Sequence, residues 1–218
     1  MTPIRVLIVD DDALVRAGLS MILGATDDVR VVAEAADGHE VLPAVDAYAP
    51  DVVLMDIRMP RMDGLAATEA LCAREHPPQI IVLTTFDADD HVLRALRSGA
   101  SGFLLKDTPP ADIVQAIRLV AAGEAMLSPQ VTRRLIAHVA EGGLSARRAD
   151  ADVLLARLTD REREVAEAIG RGCSNAEIAE ELFMSVATVK AHISHILAKL
   201  ALDNRTQIAL LAHDGGLA

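Results

Sequence analysis

The sequence predicts an α/β chain: a five-stranded, doubly wound parallel sheet followed by a second, all-α domain. Three observations carry this. At 218 residues the chain is too long for one small domain and comfortable for two. Over the first 122 residues, short β-branched runs alternate with helical patterns, the layout of a parallel sheet covered on both faces. From Val153 onward no strand signal remains.

The strand runs are "IRVLIV" (4–9), "VRVVAEA" (29–35), "VVLM" (52–55), "IIVLTT" (80–85) and "GFLL" (102–105). Helical patterns separate them at 13–23, 39–49, 65–75 and 91–99. A fifth follows at 111–123, where Pro109 and Pro110 suit a first turn. Residues 127–141 read as a helix opened by Ser128 and Pro129, and the small, polar stretch 142–152 is the best linker in the chain. Beyond it, Thr159 with Glu162 and Ser174 with Glu177 form two capping boxes. Ser185 suits the start of a long helix to Leu200, and Asp203 or Asn204 the start of the last one. The expected organisation is a first domain over 1–122, a linker with one helix over 123–155, and a helical domain over 156–218.

Hydrophobic residues make up 51% of the chain but aromatics only 2%, with no Trp, so the cores must be aliphatic. Readers of single-stranded nucleic acid stack bases on aromatic rings, which disfavours that class. The longest apolar runs are too short to span a bilayer, and "MTPIRVLIVDDD" lacks the layout of a signal peptide. Cys72 and Cys173 stand alone without metal or redox spacing, as expected of reduced packing residues in a cytoplasmic protein. The net charge of −11 is uneven: −9 over 1–122, 0 over 123–155 and −2 over 156–218. Any nucleic-acid surface must then be a local patch in the last part.

In open parallel sheets, ligands bind beyond the carboxyl ends of the strands. Asp10 and Asp11 follow the first strand, Asp56 the third, Thr84 the fourth and Lys106 the fifth. Carboxylates brought together repel unless a cation joins them, and Mg2+ suits such hard oxygens. Lys106 and Thr84 could hold phosphoryl oxygens, and an Asp facing a metal can act as a nucleophile. Taken singly, each residue has a plainer reading: an Asp after a strand forms turns, Asp12 could cap the next helix, and Lys106 could be a solvated loop cation. The set on matching strand ends is what points to a site.

"VLIVDDD", "VVLMDIRMPRMDG", "IIVLTT" and "SGFLLK" resemble the receiver domain of two-component response regulators, across residues 3–122. The resemblance implies Asp56 as phosphoacceptor and Asp11 as direct metal ligand, with Asp10 acting mainly through water and the Arg58 carbonyl as a further ligand. It implies Thr84 and Lys106 on the phosphoryl group, Phe103 as the aromatic switch, and Arg58 and Phe86 at positions that tune phosphate lifetime. Asp12 stands where many relatives have His, and Asp107 follows Lys106 where many receivers have Pro, though Lys-Asp is familiar in this subgroup. A rival is a phosphohydrolase of the haloacid dehalogenase type, with Asp10-Asp11-Asp12 supplying Asp-x-Asp. Leu14 then sits where Thr or Val is expected, and "DIRMPRMDG" has no role.

In the last part, a supporting helix (175–182) and a second helix (186–200) have the layout of a helix-turn-helix. Val189, Ile193, Ile196, Leu197 and Leu200 form an apolar stripe, leaving Lys190, Ala191, Ser194 and His195 on other faces. Thr188, near the helix start, can reach a phosphate. A small dimerisation bundle is the plainer reading. Residues 183–212, however, carry Lys190, Lys199 and Arg205 against Asp203, a local balance that favours DNA. His192 and His195 have ligand-like spacing but no third ligand; packing or phosphate contact suits them better.

"LTDREREV" and "GCSNAEIAEELFMSVATVKAHISHILAKL" resemble the LuxR-type helix-turn-helix domain, and the whole chain resembles the NarL/FixJ response regulators. That implies base-facing Lys190, Ala191 and Ser194, with Thr188 near the backbone. It also implies a last helix that pairs with its copy on inverted half-sites. The expected function is transcription control by phosphorylation of Asp56, with Mg2+ as cofactor and a sensor histidine kinase or a small donor such as acetyl phosphate supplying the group. The active protein would be a homodimer on double-stranded DNA, with no enzyme activity beyond its own phosphoryl transfer and dephosphorylation. The alternative is a constitutive DNA-binding regulator whose receiver is a dimerisation scaffold.

Overall fold

The structure, a computed structural model, describes residues 2–84, 98–124, 126–127 and 151–217. The chain divides into two compact units, Met1–Leu135 and Ile136–Ala218.

The first unit runs β1 (Ile4–Val9), α1 (Ala13–Gly24), β2 (Val29–Ala35), a 3-10 turn (Gly38–Glu40), α2 (Val41–Tyr48), β3 (Val52–Asp56) and α3 (Gly64–Cys72). It continues with β4 (Gln79–Thr84), β5 (Gly102–Leu105) and α4 (Pro110–Ala121). The five expected strands lie parallel in the order β2-β1-β3-β4-β5, so the winding reverses between β1 and β3. A two-residue strand, β6 (Met126–Leu127), adds to the edge beside β5. Two residues carry no periodicity, which is why Leu127 read as a helix start. The rest of the helix expected at 127–141, most of the linker, and the helix at 91–99 up to Arg97 lie outside the described residues.

Both faces of the sheet are covered. Val6, Ile8, Val52, Leu54, Ile81, Leu83 and Leu104 share one core with Leu19 and Leu23 of α1 and with Ile113, Ile117 and Val120 of α4. The alternate residues Leu7, Val53, Met55, Ile80, Val82 and Phe103 are buried as well. On that side Met55 lies against the start of α3, where a Cβ on Gly64 would stand 2.9 Å from its Cγ. Strands buried on both faces explain the near-continuous apolar runs, and each such side chain contributes about 1.5–3 kcal/mol. The helix starts are set by short polar side chains: Asp12 accepts from Leu14 N–H at 2.8 Å, and Asp63 from Ala66 N–H at 2.7 Å.

In the second unit residues 151–155 are helical, followed by α5 (Asp160–Gly170), α6 (Asn175–Glu181), α7 (Val186–Leu200) and α8 (Arg205–Asp214). Val165, Ile169, Ile178, Val189, Ile193, Ile196, Leu200 and Ile208 form its core. Ala151 and Leu155 are buried too, and a Cβ on Gly215 would stand 2.3 Å from Leu155 Cδ1. Both capping boxes are complete, Ser185 caps α7, and of the two candidates Asn204 caps α8. Among the described residues, no helix is long and apolar enough to cross a membrane.

Candidate functional site

Parallel strands in register bring their carboxyl ends together. Asp10 and Asp11 leave β1, Asp56 closes β3 next to it, Thr84 closes β4, and Lys106 follows β5. One carboxylate oxygen each of Asp10, Asp11 and Asp56 lies within 4.8 Å of the others. Asp10 and Asp56 are buried and Asp11 is exposed, so the cluster opens to solvent on one side. Lys106 Nζ reaches Asp10 Oδ2 at 2.6 Å and Asp56 Oδ2 at 3.1 Å. Asp10 Oδ2 has no hydrogen bond of good direction; the close Lys106 charge is its partner. Thr84 is buried, its carbonyl accepts from Lys106 N–H at 2.8 Å, and Phe103 is wholly enclosed.

The electrostatics follow from burial. Desolvation raises the Asp56 carboxyl above its ordinary value; Lys106 opposes this and Asp10 reinforces it. Burial works to discharge Lys106, but the Asp10 and Asp56 carboxylates outweigh it and hold the ammonium above its ordinary value. Two buried acids sharing one cation, with a third acid at the rim, form a hard-oxygen donor set with charge left to neutralise.

Several residues that position this pocket escaped the sequence reading. Arg16 donates to the Asp10 carbonyl at 2.7 Å and lies 3.4 Å from Glu34, tying α1 to the pocket. Gly64 N–H donates to the Ile57 carbonyl at 2.9 Å, and a Cβ on Gly64 would stand 1.9 Å from the Asp56 carbonyl oxygen. Asp37, buried in the loop after β2, accepts from Arg61 N–H at 3.0 Å and from His39 N–H at 3.1 Å. Only "DG" at 37–38, an ordinary turn signal, marked that spot. Phe86 lies outside the described residues.

In the helical unit α7 divides as its pattern requires. Val189, Ile193, Ile196 and Leu200 are buried and Leu197 partly so, while Thr188, Lys190, Ala191, Ser194 and His195 are exposed. Ser185 Oγ accepts from Thr188 N–H at 3.0 Å, and Ser194 Oγ donates to the Lys190 carbonyl at 3.1 Å. The expected local positive charge needs correction. Arg205 is buried, donating to Asn175 Oδ1 at 2.6 Å and to the Cys173 carbonyl. Lys199 Nζ donates to Glu162 Oε2 at 2.5 Å. Each helix end offers buried polar groups that need partners, and these two cations supply them. Of the three cations, Lys190 is the one on the exposed face.

A parallel α/β unit with an acid–lysine pocket, joined in one chain to a helix-turn-helix unit, is the make-up of a response regulator. Comparison with known proteins agrees. Residues 6–118 match the response regulator receiver domain, and residues 156–212 match the bacterial regulatory proteins of the luxR family. The transcriptional regulatory protein LiaR of Bacillus subtilis (strain 168) is 41% identical over 210 residues, 96% of this chain and 97% of its own. The oxygen regulatory protein NreC of Staphylococcus aureus (strain MRSA252) is 39% identical over 94% of each chain. Among solved structures, the response regulator ChrA of a heme-sensing two-component system aligns over 100% of both chains with 38% identity and a TM-score of 0.55. The receiver domain of a putative response regulator NarL from Mycobacterium tuberculosis covers 57% of this chain and 100% of its own, with 39% identity and a TM-score of 0.55. The chain belongs to the NarL/FixJ family of response regulators: it is a two-component transcriptional regulator with a DNA-binding domain.

Proposed function

We propose that Asp56 is the phosphoacceptor and that its phosphorylation controls dimerisation and DNA binding. The observation that carries this reading is the buried Asp56 carboxylate, 3.1 Å from Lys106 Nζ and clustered with Asp10 and Asp11 at the strand ends. The donor set fits Mg2+, which Asp11 and Asp56 would hold with the Arg58 carbonyl, Asp10 acting mainly through water. Bound there, the ion would offset charge on the phosphoryl oxygens.

The chain's own residues do the rest. An Asp56 oxygen attacks phosphorus while the bond from phosphorus to the donor breaks. The leaving group departs as acetate from acetyl phosphate, or as a kinase histidine ring that takes up a proton. Ile57 N–H holds Asp56 Oδ1 at 2.8 Å and so aims the carboxylate. Lys106 supplies positive charge to the transferred group, and Thr84 a hydroxyl. Hydrolysis of the acyl phosphate ends the signal, so catalysis is confined to the chain's own phosphoryl transfer and dephosphorylation. Repacking of Thr84 and Phe103 would carry the change to the surface and shift the population toward a DNA-competent dimer.

The receiver would occupy 1–122 and the DNA-binding domain 156–218, joined by 123–155, whose residues 126–127 extend the receiver's sheet and whose residues 151–155 pack onto the helical domain. On DNA, Lys190, Ala191 and Ser194 would face bases. Thr188, His195 and Lys199 would lie toward the backbone, Lys199 exchanging Glu162 for phosphate. The cytoplasm is where such a regulator meets its kinase and promoter DNA.

Intact mass after incubation with acetyl phosphate and Mg2+ tests the acceptor. One phosphoryl adduct on wild type and none on Asp56→Asn is the expected result. An adduct that survives in Asp56→Asn overturns the assignment. DNA affinity and dimerisation indifferent to the adduct overturn the switch.

A further inference from the structure

The segment from Ile57 to Asp63 joins Asp56 to α3 and carries the Arg58 carbonyl. Its ends are held locally: Ile57 N–H by Asp56 Oδ1 at 2.8 Å, and the Ile57 carbonyl by Gly64 N–H at 2.9 Å. Its middle is held from outside, by the loop that follows β2. Asp37 Oδ2 accepts from Arg61 N–H at 3.0 Å, with Arg61 Nε at 3.4 Å. One residue on, Gly38 N–H donates to the Met62 carbonyl at 3.3 Å, and a Cβ on Gly38 would stand 2.6 Å from that oxygen. The two loops thus meet backbone to backbone.

Capping the 3-10 turn occupies one Asp37 oxygen, which accepts from His39 N–H at 3.1 Å and lies 3.0 Å from His39 Nδ1. A capping carboxylate works well in water and has no need of burial. Asp37 is nevertheless 2% exposed, and its second oxygen serves the other loop. Burial alone would raise its carboxyl; the hydrogen bonds from His39 and Arg61 outweigh that and hold it well below the usual carboxylate range. An ionised, inward-facing acid is therefore committed to a chain segment 24 residues away.

We infer that Asp37 is a positioning residue for the chemistry at Asp56: through Arg61 N–H it fixes the loop that presents the Arg58 carbonyl to the cation. The inference rests on the reading of Asp56 as acceptor. Metal ligands depend on such outer partners, because a carbonyl on a free loop samples orientations that do not bind.

The test uses the full chain with Asp37→Ala, Asp37→Asn, Gly38→Ala and His39→Ala. Three quantities are read: Mg2+ affinity by calorimetry, the rate of adduct formation from acetyl phosphate, and amide exchange over residues 57–64. Asp37→Ala and Gly38→Ala are expected to weaken Mg2+ binding about tenfold and to slow adduct formation similarly. Exchange at Arg61 should quicken about tenfold, the loss of one good hydrogen bond. Asp37→Asn keeps an acceptor for Arg61 N–H and should recover most of the affinity, while His39→Ala should match wild type. Faster exchange with wild-type Mg2+ affinity and adduct rate would overturn the inference, leaving Asp37 a purely structural residue. Should Asp37→Ala not fold, Asp37→Asn and Gly38→Ala decide by the same criteria. Wild type that binds Mg2+ but takes no adduct would overturn the Asp56 reading alone, with the metal arm still judging Asp37.

Discussion

Lys106 Nζ stands 3.1 Å from Asp56 Oδ2, and the same ammonium is closer still, 2.6 Å, to Asp10. One cation is thus divided between two buried acids, with Asp11 at the rim. The pocket is short of positive charge until a cation arrives, and its stability should report that deficit.

The first consequence concerns Asp56→Asn. Burial raises the Asp56 carboxyl in the folded state above its ordinary 3.8, so the folded protein holds that proton more tightly than the unfolded chain. Stability present below 3.8 is lost as pH rises through the folded value. At pH 7 without divalent cations, Asp56→Asn should therefore stabilise the first unit by about 1 kcal/mol, a few degrees in Tm. The gain should vanish toward pH 4, and added Mg2+ should stabilise wild type more than the variant. Melting curves across pH, with and without Mg2+, measure all three.

Removing the cation has the opposite sign. Lys106→Met leaves two buried carboxylates facing each other, a loss of about 3 kcal/mol by analogy with other broken buried pairs. Part of Lys106 remains open to water, which softens the loss. Chemical denaturation should show a lower midpoint that recovers partly with Mg2+.

Gly64→Ala tests the close approach of α3 to β3. The added Cβ would sit 1.9 Å from the Asp56 carbonyl oxygen and 2.9 Å from Met55 Cγ, and the Asp56 backbone has little room to yield. A loss of more than about 2 kcal/mol is expected, with disturbed Mg2+ binding in whatever folds.

Glu162 governs the helical unit. Lys199 at 2.5 Å, together with Thr159 N–H at 2.8 Å, pulls its carboxyl down to about 2. A lowered folded value means stability present above 4.5 and lost as pH falls from 4.5 through about 2. Glu162→Gln should cost about 1 kcal/mol at pH 7 and flatten that acid loss. Amide exchange in α7 as pH is lowered reads it directly.

The cations of α7 should separate in DNA titrations. Lys190→Ala, which removes an exposed, base-facing side chain, should cost about 1–3 kcal/mol of DNA affinity and relax the sequence preference at that position. Lys199→Ala should lower the salt dependence of binding by about one phosphate contact and also destabilise the fold, because without DNA that ammonium serves Glu162. Wild-type affinity and sequence preference in Lys190→Ala would remove Lys190 from the interface.

What the sequence by itself determined was everything governed by near neighbours. Strand runs 4–9 and 29–35 coincide with β1 and β2, and the boxes at Thr159 and Ser174 sit where the chain writes them. Period, capping and β-branching act over a few residues, so they are legible in a linear text. The pocket was legible for a related reason: in a parallel sheet, residues at the carboxyl ends of neighbouring strands converge once the strands are known. The two-residue β6 was not, because a strand that short leaves no period. Nor were Asp37 with Arg61, Glu162 with Lys199, or Arg205 with Asn175, pairs separated by 24, 37 and 30 residues. In sequence Lys199 and Arg205 read as free charge for DNA. Only the tertiary structure decided which buried polar group each would meet, because the need to pair a desolvated group is set by packing, and packing joins residues without regard to their distance along the chain.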